Sequence, residues 1–410
     1  MEQIENKSWR EAINGTVIIA GLGYFVDLFD ITLFGVLRVP SLQAIGITDP
    51  DQILKSGVYI YNAGFIGMLH GGIFWGVLAD KIGRISVLFG SILTYSLGSI
   101  ANAFVWDADS YALVRFITGI GLAGELGAAI TLVAESLPLR LRGVGTTIVA
   151  TMGLSGSIAA GFVGQKLDWQ TAYILGGVMG LVLLVARLHL LESGMFHKLV
   201  KTSQASRGDL RLFLKPERLK RYLACILVGA PIYFITGILF TFAPEITKGL
   251  GIEGVVAAKT LFYGSIGLAI GDLAAGLLSQ LLVSRKKAIA ICLLLAASVA
   301  TVYLCIANAT PETIYKLCFV AGVAAGYWAV LVTMAAEQFG TNIRGTVATS
   351  IPNFVRGSAV LSVSSFSILK TSLGAQGAAG LIGAIVFGLA FVGLYSLRET
   401  FSSDLDFTES

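Results

Sequence analysis

Asp27 and Asp30 stand three residues apart in a stretch, residues 12–36, that is otherwise almost entirely apolar. On a helix this spacing brings both carboxylates to one side, about 5–6 Å apart at Cβ, and two acids so close disfavour one another's ionisation. A group that takes up and releases protons needs that property. Few other charges interrupt the apolar runs, and the notable ones are Arg115, Glu125, Asp272 and Arg356. A guanidinium shielded from water, as Arg356 would be, can hold a carboxylate through two parallel hydrogen bonds. Asn353, one turn earlier, adds an amide on the same side. Competing readings stand beside these: Arg356 fixed to Asp272, Arg38 holding Asp30, and Glu125 either protonatable or locked to a neighbour. Tyr24, Tyr61, Asn62, Tyr233, Tyr327 and Trp328 would line a cavity or pack between helices, and His70 is a packed ring or a proton shuttle.

These charges matter because of what surrounds them. The chain has 410 residues, 55% hydrophobic and 13% charged, with a mean hydropathy of +0.80, which does not describe a water-solvated surface. A membrane-crossing helix needs about 20 apolar residues. Apolar runs between polar breaks place twelve spans, near 12–36, 56–77, 85–105, 110–137, 143–165, 170–188, 222–246, 258–283, 287–307, 313–337, 345–368 and 377–397. The expected class is therefore an all-α membrane protein. Its divisions are an N-terminal six-helix bundle (1–188), a basic central loop (189–221), a C-terminal six-helix bundle (222–398) and a short acidic tail (399–410).

Of the 29 Lys and Arg, 20 fall on the side of the termini and the central loop and 7 on the other. Positive residues gather on the cytoplasmic side, so both termini and the central loop are expected inside an inner membrane. The net charge of +4 is too small to suggest nucleic acid. The four cysteines have no ligand spacing, so neither metal nor disulfide framework is indicated. The first apolar run is too long for a signal-peptide core and is read as a span.

An internal repeat supports the division. Gly64, Gly67, Gly71 and Gly76 recur as Gly264, Gly267, Gly271 and Gly276, and Ala134-Glu135 with Arg142-Gly143 recurs as Ala336-Glu337 with Arg344-Gly345. Repeated halves are a common construction for secondary transporters.

The stretch Gly76-Val77-Leu78-Ala79-Asp80-Lys81-Ile82-Gly83-Arg84 resembles the loop signature of the major facilitator superfamily. Arg115-Phe116-Ile117-Thr118-Gly119-Ile120-Gly121 with Gly124-Glu125, Glu135-Ser136-Leu137-Pro138 and Arg142-Gly143 is similar to the fourth-helix pattern of its sugar porter and metabolite:proton symporter branches. The resemblance implies that Asp80, Glu135 and Arg142, with Gly76, Gly83 and Arg84, form a cytoplasmic gate network. It also implies that a first-helix Asp paired with a fourth-helix Arg couples protonation to movement, and Asp27 with Arg115 is similar to that pair. Departures exist: Gln280 replaces the acid in the second copy of the loop, and the fifth span lacks the Gly-Pro signature of drug antiporters.

The expected function is thus proton-coupled symport of a small polar, carboxylate-bearing metabolite by alternating access. Asp27, Asp30, Arg115 and Glu125 are the proton-coupling candidates. The substrate candidates are Arg356, Asn353, Tyr24, Tyr233, Tyr327 and Asp272. The protein would work as a monomer in the bilayer with no cofactor. Export of a siderophore, amino acid or cationic compound, and a receptor that binds without transport, are the alternatives. No P-loop, serine elbow or His-rich metal set suggests an enzyme.

Overall fold

The computed structural model describes residues 15–82, 84–137, 139–192, 215–307 and 309–401. The described residues are predominantly helical, with no strand among them, and form twelve membrane-crossing helices in two bundles of six. The first half comprises α1 (Gly15–Ala44), α2 (Pro50–Ile82), α3 (Arg84–Asn102), α4 (Ala108–Ser136), α5 (Leu139–Lys166) and α6 (Trp169–Glu192). In the second half, the seventh crossing joins α7 (Pro216–Phe234), a π-helical turn (Ile235–Phe240) and α8 (Ala243–Gly249). Next come α9 (Ala257–Leu281), α10 (Arg285–Cys305) and a tenth crossing divided into α11 (Pro311–Ala325) and α12 (Trp328–Glu337). The long α13 (Thr341–Ser396) supplies the last two crossings. It turns back at Gly374, whose φ of 70° is open to glycine at little cost. Lys370 near that turn reaches Asp51 at the start of α2, while Gln338 bonds the Arg398 carbonyl at the opposite end.

Local sequence explains where helices begin. On the face away from the termini, Asp49, Asp107 and Asp168 each precede a helix and accept a backbone N–H three residues on, from Gln52 (2.9 Å), Ser110 (2.7 Å) and Thr171 (3.0 Å). These are N-caps, which satisfy otherwise orphaned donors. The backbone and hydroxyl bonds from Ser110 and Thr171 hold the Asp107 and Asp168 carboxyls below their ordinary range. Pro50, Pro216 and Pro311 open their helices at the first position, where a missing N–H is harmless.

The glycine repeat becomes a packing repeat. A Cβ at Gly67 or Gly71 would strike the backbone carbonyls of Phe116 or Ile120 on α4, and one at Gly267 or Gly271 those of Phe319 or Val323 on α11. The two halves therefore share a corresponding helix pair in backbone contact, two hundred residues apart in sequence. The halves meet where α5 packs on α9 and α2 on α13. Leu281, Leu361, Ile368, Val392 and Tyr395 are exposed, as a lipid-facing surface requires.

Of the expected gate residues, Gly83 lies outside the described residues, as does most of the central loop; Gly76 and Asp80 fall on α2, Arg84 on α3, Glu135 on α4 and Arg142 on α5, with their side chains outside what the structure describes.

Candidate functional site

The site is organised by α1. Its Asp27 carboxylate accepts a 2.8 Å hydrogen bond from Nη2 of Arg356 on α13, and neither side chain is exposed. The pair spans the two halves. It is also incomplete: Oδ1 of Asp27 and both Nε and Nη1 of Arg356 are buried with no hydrogen-bond partner. The Tyr233 hydroxyl of α7 lies against the same guanidinium.

Asp30 is bound quite differently. Oδ2 accepts from Arg115 Nη1 at 3.0 Å and Oδ1 from the Ser99 hydroxyl at 2.7 Å, while Arg115 Nη2 also donates to the Asp30 carbonyl. The Arg115 guanidinium sits over the Phe34 ring, 5.4 Å from its centroid. All these residues belong to the first half. The expected pairing of Asp27 with Arg115 is thus corrected. Three residues turn a helix by about 300°, so Asp30 faces about 60° away from Asp27. That rotation suffices to direct one acid to α4 and the other across the interface.

Among the described residues two other buried acids, Glu125 and Asp272, and the half-buried Glu245 find separate answers. Glu125 is held on both oxygens by Arg187 of α6, Nη1 donating to Oε2 at 3.0 Å and Nη2 to Oε1. Gly23 makes room for them, since a Cβ there would collide with Glu125 and Arg187. Of the two readings of Glu125, the geometry matches the locked acid. Arg187 sits at the end of an apolar run and counts by sequence with the terminal-side positive charges, although its isolation within Leu183-Leu184-Val185-Ala186-Arg187-Leu188 was a usable signal.

Asp272 does not meet Arg356, as the sequence allowed. It accepts the backbone N–H of Ala329 at 2.8 Å and lies against that of Trp328. It caps α12 from a different helix, at the break where Gly326 packs on the α9 backbone. Among the described buried acids it is held by a helix N-terminus where the others have an arginine.

Arg38 does not hold Asp30 either. Its Nη2 pairs with Glu245 of α8 at 2.7 Å and donates to the Thr241 carbonyl at 3.3 Å, with its guanidinium 4.4 Å from the Phe242 ring centroid. Glu245, read from sequence as part of the end of the seventh span, gave no signal of this contact.

Aromatic rings connect these charges. A small cavity is lined by Phe34, Tyr61, Phe65 and Arg115. Tyr61 and Phe65 have centroids 4.6 Å apart, Phe65 meets Tyr233 edge-on at 6.0 Å, and Tyr233 meets Trp328 at 6.2 Å. The rings thus run from the Arg115 cavity to the Arg356 guanidinium. Tyr24 is buried beside Gly153 and close to Arg356. Asn353 donates to the Ala123 carbonyl at 3.4 Å and faces Gly72, across the interface. Tyr327 is instead anchored in its own half, its hydroxyl donating to the Val228 carbonyl at 2.9 Å. His70 is exposed on α2, bonded to the Ile66 carbonyl and edge-on to Phe116. Asn62 crosses the interface to Ser364 at 2.7 Å.

Such a constellation binds rather than reacts. Buried guanidiniums offer paired donors to a carboxylate, an acid with a spare oxygen can take a proton, and rings provide a flat apolar wall.

Comparison with known proteins agrees with this architecture. Residues 20–359 match the sequence profile of the Major Facilitator Superfamily. The 3-(3-hydroxy-phenyl)propionate transporter of Escherichia coli (strain K12) is 30% identical, over 88% of this chain and 91% of that protein. The niacin transporter of Acinetobacter baylyi is 26% identical over 80% of each, and the 4-hydroxybenzoate transporter of Pseudomonas putida 31% identical over 48% of this chain and 42% of its own. The crystal structure of a D-xylose-proton symporter superposes with a TM-score of 0.71, covering 94% of this chain and 98% of that one at 15% identity. The chain belongs to the major facilitator superfamily and is a multi-pass membrane transporter, not an enzyme.

Proposed function

We propose that this transporter carries a small aromatic carboxylate into the cell together with a proton, and that the Asp27–Arg356 pair is where the two are exchanged. The observation that carries the reading is the incomplete pair across the halves: two donors of Arg356 and one oxygen of Asp27 lack partners in a site closed to water. Leaving such groups unsatisfied is costly, and a ligand carboxylate supplies what the guanidinium lacks. When it takes Arg356, Asp27 loses its cation. An isolated buried carboxylate is strongly disfavoured, so Asp27 takes up a proton. The loaded site then holds a neutral acid and a paired guanidinium, and no charge ties α1 to α13. The halves, 1–188 and 222–398, rearrange about it by rocking.

The aromatic preference is supported by the rings from Phe65 through Tyr233 to Trp328, and by relatives named for hydroxyphenylpropionate, niacin and 4-hydroxybenzoate. The distribution of positive residues supports an inner membrane with both termini cytoplasmic, which makes the face bearing Asp49, Asp107 and Asp168 the outer one. A monomer suffices for this mechanism. Cation export is disfavoured because arginines already neutralise Asp27, Asp30, Glu125 and Glu245, so the interior offers little negative field.

The test is accumulation of 4-hydroxybenzoate in proteoliposomes under an imposed proton gradient. The native chain accumulates it, Arg356→Ala binds it far more weakly and does not accumulate it, and Asp27→Asn equilibrates it without accumulation. Gradient-driven accumulation at the native rate in Asp27→Asn removes the coupling role. Native affinity in Arg356→Ala removes the substrate role.

A further inference from the structure

One face of α1 carries more than Asp27. Steps of four, seven and eleven residues bring Ile31, Phe34 and Arg38 within about 40° of it around the helix, and Arg38 lies about 16 Å further toward the outer side. Arg38 and Arg356 are both fully buried guanidiniums. Both reach across the halves to an acid through Nη2, at 2.7 Å to Glu245 and at 2.8 Å to Asp27. Both leave Nε and Nη1 without partners, and Oε2 of Glu245 is equally unsatisfied. Between the two levels lies the cavity lined by Ile31, Phe34, Tyr61 and Arg115. Phe242, which covers Arg38, meets Tyr61 at 6.2 Å, so the ring wall reaches the outer pair as well.

We propose that Arg38 is an outer station for the substrate carboxylate, occupied by Glu245 when the outer side is closed and surrendered by it to the arriving anion. This rests on the reading of the substrate as a carboxylate given above. Glu245 is 13% exposed where Arg38 is not exposed at all, so the acid is the partner nearer to water and the one able to leave. Its departure frees α1 from α8 and presents a guanidinium at the head of the aromatic path. Gly57 on α2 belongs to the same station: a Cβ there would come within 2.7 Å of Arg38 Cδ and press on Nη1, closing the space beside the free donors. The π-helical turn ending at Phe240 brings the Thr241 carbonyl to Arg38, which keeps the side chain in place as Glu245 leaves.

The experiment is calorimetric titration of the purified full-length chain with 4-hydroxybenzoate. Arg356→Ala removes the central station and should leave binding about ten- to a hundredfold weaker. Adding Glu245→Gln to that variant removes the competing acid, and should strengthen the residual binding by about threefold or more. Adding Arg38→Gln instead should abolish it, while Arg38→Lys, which preserves the charge and guards against a folding defect, should retain part of it. The outer station is overturned if Arg356→Ala loses all binding, if the residue of binding survives Arg38→Gln, or if Glu245→Gln fails to strengthen it. Unchanged affinity in Arg356→Ala alone overturns the central site instead, and no binding to the native chain overturns both.

Discussion

Two ion pairs on one helix, three residues apart, have opposite characters. Asp30 and Arg115 are complete: each carboxylate oxygen has a donor, a ring covers the guanidinium, and every partner lies in the first half. Asp27 and Arg356 are incomplete and join the first half to the second. A finished pair within one body holds that body together, whereas an unfinished pair between two bodies leaves room for a competitor. Burial does not separate them, since all four side chains are nearly inaccessible. What separates them is the count of satisfied atoms and the side of the interface on which each partner sits.

The largest expected effect tests the complete pair. Asp30→Ala leaves Arg115 buried without its acid and should cost about 3–5 kcal/mol, read as a lower melting temperature in detergent. Asp30→Asn combined with Arg115→Gln should recover most of the loss, and a melt unaffected by Asp30→Ala would end the distinction. Asp27→Ala should destabilise on a similar scale but in a rescuable way. Added 4-hydroxybenzoate should refill the vacated Arg356 and raise the melting temperature by more than it raises that of Asp30→Ala, in which Arg356 keeps its acid and Arg115 stays unpaired. Equal rescue of both variants would mean that both pairs are open to ligand.

A smaller effect belongs to the ring wall. Tyr233→Phe removes the hydroxyl beside Arg356 and keeps the ring, so affinity for 4-hydroxybenzoate should fall by about 1 kcal/mol, roughly fivefold. Tyr61→Phe, at the Arg115 cavity, should change it less. The smallest effect lies away from both pairs. Asp168 caps α6 with its carboxyl held below the ordinary range by Thr171, so its contribution is present at neutral pH and is lost as pH falls through that lowered value. Asp168→Ala should melt slightly earlier than the native chain at pH 7 and converge with it in acid.

Much of this is legible in the sequence alone. Twelve crossings, the repeat and the buried charges follow from the hydrophobic pattern and from spacing, because a helix in lipid must be long, apolar and internally hydrogen-bonded. Pairings were not legible, for a reason visible in Asp27 and Asp30. Depth along a helix follows from 1.5 Å per residue, but the direction in which a side chain points depends on how its helix is rotated against its neighbours. Both acids had suitable depth for Arg115, and the rotation chose Asp30. Glu245 was hidden for another reason. It stands near the end of the seventh span, where acids are common, and only its place beside Arg38 in the folded chain distinguishes it. Asp272 needed the break in the tenth crossing, which Gly326-Tyr327 only hints at.

The backbone contacts at Gly67 and Gly71, and at Gly267 and Gly271, have a mechanical meaning. Where two helices touch through carbonyls and α-carbons, no rotamer stands between them to absorb a push. A displacement at one end of α2 is handed to α4 undiminished, and likewise from α9 to α11. Each bundle thus has a stiff spine; the seam between the bundles has a stiff point where Gly161 of α5 lies on the Phe262 backbone of α9, and beside it side chains such as Asn62, Ser364, Asp27 and Arg356 do the touching.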